Sequence, residues 1–121
     1  MIPYEKFAAW RVAHRLALRV YEVTKSWPSS ERYHLTAQTR RAALSAPTNI
    51  AEGAAKRGTR EFRRYLDIPL GSLSELSYLL RFSRDCGILD QEMYRELETL
   101  RNESGTLTWR LYGCMLRRNQ P

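Results

Sequence analysis

The stretch DQEMYRELETLRNESGTLTWRLYGC, residues 90–114, decides the fold. Within it Met93, Leu97, Leu100, Ser104, Leu107, Leu111 and Cys114 recur in alternating steps of four and three. That spacing is the inner seam of a helix in a left-handed bundle. Asp90 stands just before the seam as an N-cap, and Glu92 puts a carboxylate in the electropositive first turn. A helix with one apolar seam must bury it against other elements, so the residues upstream are expected to supply partners.

They carry three further helical stretches and no convincing strand. One runs from Thr59, a natural N-cap, to about Cys86. Phe62, Tyr65, Leu66, Leu70, Leu73, Leu76, Leu80 and Ser83 line its inner face. Gly58 makes the turn before it and Gly87 the left-handed residue after it. A second stretch covers about Ser30 to Arg57, with Leu35, Gln38, Ala42, Ala46, Ile50 and Gly53 in one phase. Pro47 lies in its middle, where it removes a backbone donor and crowds the carbonyl four residues back. A kinked single helix and a new helix starting at Pro47 are both open. The apolar phase survives across Pro47, which favours the kink. Small residues here (Ala42, Ala43, Ser45, Ala46, Ala51) suit close helix packing. The first stretch runs from about Tyr4 to Ser26, with Phe7, Trp10, Ala13, Ala17, Val20 and Tyr21 inward and Arg11, Arg15, Arg19 and Glu22 outward. Trp27-Pro28-Ser29-Ser30 ends it.

Short connections between four amphipathic helices imply an all-α fold: an antiparallel up-down-up-down four-helix bundle, kinked near Pro47 and Pro69. At 121 residues the chain is expected to form one domain over 1–121. The tail Arg117–Pro121 is expected to fray.

Composition narrows the function. Apolar residues make up 43% and charged residues 27%, which excludes a disordered chain. With a mean hydropathy of −0.54 there is no long uncharged apolar run to span a membrane. The opening Met1-Ile2-Pro3-Tyr4-Glu5 lacks the pattern of a secretory signal, so a cytoplasmic location is expected. Cys86 and Cys114 are expected as reduced thiols. With no CxxC and with His14 and His34 isolated, no metal site is expected.

Net charge is +7, and 17 of the 20 basic residues are Arg, whose planar forks suit phosphate. The charge is unevenly placed. Arg32, Arg40, Arg41, Lys56, Arg57, Arg60, Arg63 and Arg64 face only Glu52 and Glu61 in their segment, whereas Asp90 to Glu103 is acidic. Three readings compete: an ordinary solvated surface, complementary faces on neighbouring subunits, and a polyanion site at the turn between helices two and three, where helix amides add to the field. No catalytic residues are assigned. The run Gly71–Ser77 is rich in hydroxyls, but a helix turns them onto different faces, and no GxSxG, HExxH or phosphate-binding glycine loop occurs. Asn49 and Glu52 lie one turn apart near a helix C-terminus. They are expected to hydrogen-bond to another helix and hold the kink. Tyr78, Phe82, Trp109 and Tyr112 lie off the main seam, either exposed or in an oligomer interface.

Several motifs together resemble the four-helix-bundle family of 23S ribosomal RNA intervening-sequence proteins. They are Trp10 with Ala13-His14, Val20-Tyr21, Trp27-Pro28, Glu31-Arg32-Tyr33, Gln38-Thr39-Arg40-Arg41-Ala42, Ser45-Ala46-Pro47-Thr48-Asn49-Ile50-Ala51-Glu52-Gly53 and Gly71-Ser72-Leu73-Ser74-Glu75-Leu76. The resemblance covers nearly the whole chain. It implies a ring-shaped homopentamer with no known enzymatic activity, and no cofactor is expected. The family is similar to the accessory variability protein of diversity-generating retroelements, a basic pentamer that contacts a reverse transcriptase and nucleic acid. Arg40, Arg41 and Arg57 match basic positions of the family pattern, and Asn49, Glu52 and Gly53 match its structural signature. The chain departs from the pattern at Arg11, His34 and Pro69. The resulting expectation is a non-catalytic oligomer that binds RNA or DNA backbone through Arg40, Arg41, Lys56, Arg57, Arg60, Arg63 and Arg64 without sequence readout. A scaffold accessory to a reverse transcriptase is the alternative.

Overall fold

The computed structural model describes residues 2–118 and forms them into four α-helices: α1 (Ala8–Thr24), α2 (Leu35–Ala54), α3 (Thr59–Asp85) and α4 (Gln91–Arg118). Short 3-10 turns at Pro3–Lys6 and Ser29–Glu31 precede α1 and α2, and no strand occurs among the described residues. Each helix packs on the next in sequence, and α4 returns to pack on α1. The result is the expected antiparallel four-helix bundle. Its topology puts the N-terminal turn, the α2–α3 connection and the end of α4 together at one end, called here the terminal end. The α1–α2 and α3–α4 connections lie at the far end.

The helix boundaries have local causes. The Asp90 carboxylate accepts a hydrogen bond from the Met93 amide at 2.8 Å and so satisfies a donor in the first turn of α4. Gly87 (φ +84°) and Gly58 (φ +82°) hold the left-handed turns that end α3 and begin it. Gly58 occupies the cap position, so Thr59 is the first helical residue of α3 rather than its cap. Both interior prolines sit within unbroken helices, Pro47 in α2 and Pro69 in α3. No new helix starts at Pro47. Helix α4 continues to Arg118, so Arg117 and Arg118 are helical, and the rest of the expected frayed tail lies outside the described residues.

Leu16, Val20, Ile50, Leu66, Leu73, Leu76, Leu80 and Leu97 form the closed centre of the core. The buried face of α1 is Ala9, Val12, Ala13, Leu16, Ala17, Val20 and Thr24, which is rotated from the expected one. Trp10 stacks on His14 (4.9 Å between centroids) at the groove edge, and the Tyr21 ring lies 4.8 Å beneath the Arg40 guanidinium. Both rings have polar neighbours at the surface, and the aliphatic side chains take the interior instead. Gln38 is likewise exposed, with its amide 3.4 Å from Glu75.

A polar seam ties α2 to its neighbour. Ser72 donates to the Ser45 hydroxyl at 2.8 Å, and Asn49 donates to the Ser45 carbonyl (2.8 Å) and hydroxyl (3.2 Å). Further along α3, Ser77 donates to Glu98 of α4 at 3.1 Å. Ser72 and Ser77 of the hydroxyl-rich run thus spend their hydroxyls on helix pairing, and Ser74 is exposed. Asn49 bonds within its own helix and reaches α3 through Ser45. Glu52 does not cross to another helix. Its carboxylate is exposed and makes no hydrogen bond or ion pair with any described residue. Gly71, by contrast, faces open space in mid-helix. Gly71→Ala is expected to stabilise the fold by about 0.5–1 kcal/mol, read from the urea midpoint at unchanged slope.

Candidate nucleic-acid interface

The α2–α3 turn leaves Lys56 and Arg57 exposed, and Arg60 follows in the first turn of α3. These three, with Arg63 and Arg64, fall within one stretch, as helix geometry requires. Arg57 and Arg60 form no ion pair or hydrogen bond to any described residue. Lys56 lies 5.0 Å over the Tyr65 ring, a contact that positions its ammonium and leaves the charge unneutralised. Arg64 is partly spent on Glu61 at 3.2 Å. Arg63 is half-buried, and its Nε is buried without a partner.

Bundle topology adds two cations that the one-dimensional charge count passes over. A cavity of about 210 Å³ opens at the terminal end. Its wall includes Lys6 from the N-terminal turn, Lys56 and Gly58 from the α2–α3 connection, and Arg118 from the end of α4. Antiparallel pairing of an even number of helices brings both chain ends to the α2–α3 turn, so Lys6 and Arg118 were in principle legible. Gly58 and Thr59, at the start of α3, lie in the same wall.

Arg40 and Arg41 do not join this group. They sit near the start of α2, roughly 20 Å from its C-terminal end at 1.5 Å per residue. Arg41 is exposed and unpaired, whereas Arg40 turns toward α1. Its Nε donates to the Thr24 hydroxyl at 2.7 Å and its Nη2 to the Tyr21 carbonyl at 3.3 Å. The seven expected residues therefore divide between two regions.

Three acids of α4, Glu96, Glu98 and Glu103, are paired within the chain, and Glu92 stays exposed. Arg19 of α1 donates to both carboxylate oxygens of Glu96 and pairs with Glu22 at 3.2 Å. The hydrogen bonds to Glu96 raise the Arg19 pKa. Arg15 lies 3.8 Å from Glu103, and Arg101 holds Glu98 at 2.6 Å. The Arg15–Glu103 pair is exposed and adds little stability, whereas Arg101–Glu98 is part-buried. Their consequence is spatial: arginines neutralise carboxylates along the α1–α4 side, while Lys6, Lys56, Arg57, Arg60 and Arg118 at the terminal end stay without an ion pair among the described residues. The separate acidic face open to a neighbouring subunit is thereby reduced.

Cys86 and Cys114 are free thiols. Among the described residues, no group of three or more His, Cys, Asp and Glu could hold a metal ion, and no helix is long and apolar enough to cross a membrane.

The fold has a solved counterpart. A crystal structure of a protein of unknown function from the S23 ribosomal protein family of Bacteroides thetaiotaomicron superposes with a TM-score of 0.81 at 19% identity, over 87% of this chain and 95% of that one. At that identity the likeness concerns the fold alone. No curated protein matches the sequence. The sequence pattern of the 23S rRNA-intervening sequence proteins matches residues 5–109, nearly all of the four-helix core, and the chain belongs to that family.

Proposed function

We propose that this chain is a non-catalytic nucleic-acid-binding bundle that engages phosphate backbone with its terminal end and acts as a homo-oligomer, a pentamer by resemblance to its family. One observation carries the reading. Lys6, Lys56, Arg57, Arg60 and Arg118 gather at one end of the bundle without an acidic partner among the described residues, while Glu96, Glu98 and Glu103 of α4 are paired elsewhere. Repeating such an end around an oligomer multiplies its affinity for a polyanion. Backbone contact without a helix presented to a groove gives little sequence preference.

Binding of a 30-nucleotide RNA, followed by fluorescence anisotropy across a salt series, tests this. Five phosphate contacts per protomer give a slope of log affinity on log salt of about −3.5 to −4.5. A slope near zero, or no binding at low salt, removes the proposal.

The second reading is a protein scaffold, accessory to a reverse transcriptase of a diversity-generating retroelement. The exposed rings of Tyr78, Phe82 and Trp109 favour it, since they lie outside the core and offer aromatic contact area to a protein. Partners recovered from host extract that withstand nuclease treatment support the scaffold. Partners lost on that treatment support backbone binding.

A further inference from the structure

At the far end of the bundle, the corner between α1 and α2 encloses a cavity of about 380 Å³ lined by Thr24, Lys25, Trp27, Arg32, Thr36 and Arg40, among others. That volume is at the small end of ligand-binding pockets. Three cations line it and no acidic side chain does. Lys25 and Arg32 make no ion pair with any described residue. Arg40 is fixed by its bonds to Thr24 and Tyr21, which leave its Nη1 without a partner among the described residues. Holding one guanidinium in place before a ligand arrives lowers the entropic cost of binding.

Thr36 supplies an independent observation. It is 6% exposed, lines the cavity, and its hydroxyl has no hydrogen-bond partner. A buried unpaired hydroxyl costs stability in the empty protein. Thr36 also stands in the first turn of α2, a helix whose cap residue His34 makes no side-chain capping bond. The amides of that turn therefore have no side-chain acceptor from the cap. A ligand that accepts from a hydroxyl, from helix amides and from forked guanidinium donors at once is a tetrahedral oxyanion.

We propose that the α1–α2 corner is a binding site for a dianionic phosphate group, separate from the terminal-end surface and lying at the opposite end of the bundle. Lys25, Arg32 and Arg40 supply the charge, and Thr36 supplies a hydroxyl donor. Both free phosphate and the terminal phosphate of an oligonucleotide carry this chemistry.

Calorimetric titration at fixed ionic strength tests the proposal with three probes: inorganic phosphate, a 5′-phosphorylated RNA dinucleotide and the same dinucleotide with a 5′-hydroxyl. The expected result is saturable binding of one or both phosphorylated probes, at least tenfold tighter than the hydroxyl form. Whichever phosphorylated probe binds more tightly identifies the source. Arg32→Glu is exposed and leaves the core untouched, and it should abolish binding. Thr36→Val keeps the side-chain shape and removes only the hydroxyl. It should weaken binding at least fivefold while the empty protein melts no lower than wild type. Arg57→Glu should leave this site unchanged, which separates it from the nucleic-acid surface. Absence of saturable phosphate binding, equal binding of the 5′-hydroxyl probe, or binding unaffected by Arg32→Glu overturns the proposal.

Discussion

Reversing charge at Arg57 and Arg60 together should weaken RNA binding by about a hundredfold at ~50 mM salt and flatten the salt slope by about two, one for each lost phosphate contact. These positions are chosen because neither guanidinium is engaged with the rest of the protein. Loss of binding therefore does not come with loss of a structural contact. Arg60 also lies in the first turn of α3. A glutamate there faces the positive end of the helix dipole, so Arg60→Glu should raise helix stability by about 0.3–1 kcal/mol. The double variant is thus expected to bind poorly while melting at or slightly above the wild-type temperature. Arg41→Glu is the matched control: exposed, unpaired and distant along α2 from the terminal end. It should cost less than about threefold, the share of long-range field alone at moderate salt. Anisotropy titrations of all three proteins at three salt concentrations decide the matter. If Arg41→Glu equals the double variant, the terminal end has no special role and charge acts as a diffuse total.

The contrast between Arg57 and Arg41 marks where sequence reading stops. Helical phase and caps follow from residues a few positions apart, so the four helices, Asp90 and the two left-handed glycines were legible. The rotation of α1 was not, because choosing among Trp10, Tyr21 and Leu16 depends on which neighbours can accept an aromatic ring. Tyr21 is drawn to the surface by Arg40, which is 19 residues away in sequence and on another helix. The site was half legible for the same reason. The run from Lys56 to Arg64 is local and reads directly as basic. Lys6 and Arg118 join it only through the antiparallel topology, and Arg40 leaves the group only because Thr24 and the Tyr21 carbonyl claim its donors. Net charge along a segment says nothing about which acids lie across the helix interface. Two of the α4 carboxylates, Glu103 and Glu96, are met by Arg15 and Arg19 from α1.

The largest stability effect from a single methyl group is expected at Gly53, where α2 approaches α3. A Cβ placed there would lie 2.7 Å from the Tyr65 Cβ and 2.9 Å from the Phe62 ring. The first of these atoms is fixed to the backbone of α3 and cannot swing aside. The second belongs to a ring that is 7% exposed and packed edge-on against Phe7 at 5.4 Å. Relief therefore requires α2 and α3 to separate. Gly53→Ala is expected to cost about 1–3 kcal/mol of stability, despite the gain of roughly 1 kcal/mol that alanine brings to helix propensity. For a chain of this size the melting temperature should fall by roughly 4–12 °C. Gly71→Ala makes the same chemical change in an open position and should shift stability the other way. The opposed signs separate steric approach from propensity, and a stabilising shift at both positions would overturn the close approach of α2 and α3 at Gly53. The consequence reaches the basic end as well. Tyr65 carries Lys56 above its ring, and Phe62 lines the terminal cavity with Lys6 and Arg118. Forcing the helices apart at Gly53 should also disperse those cations, so the fraction of Gly53→Ala that remains folded at 10 °C should bind RNA several-fold more weakly than wild type.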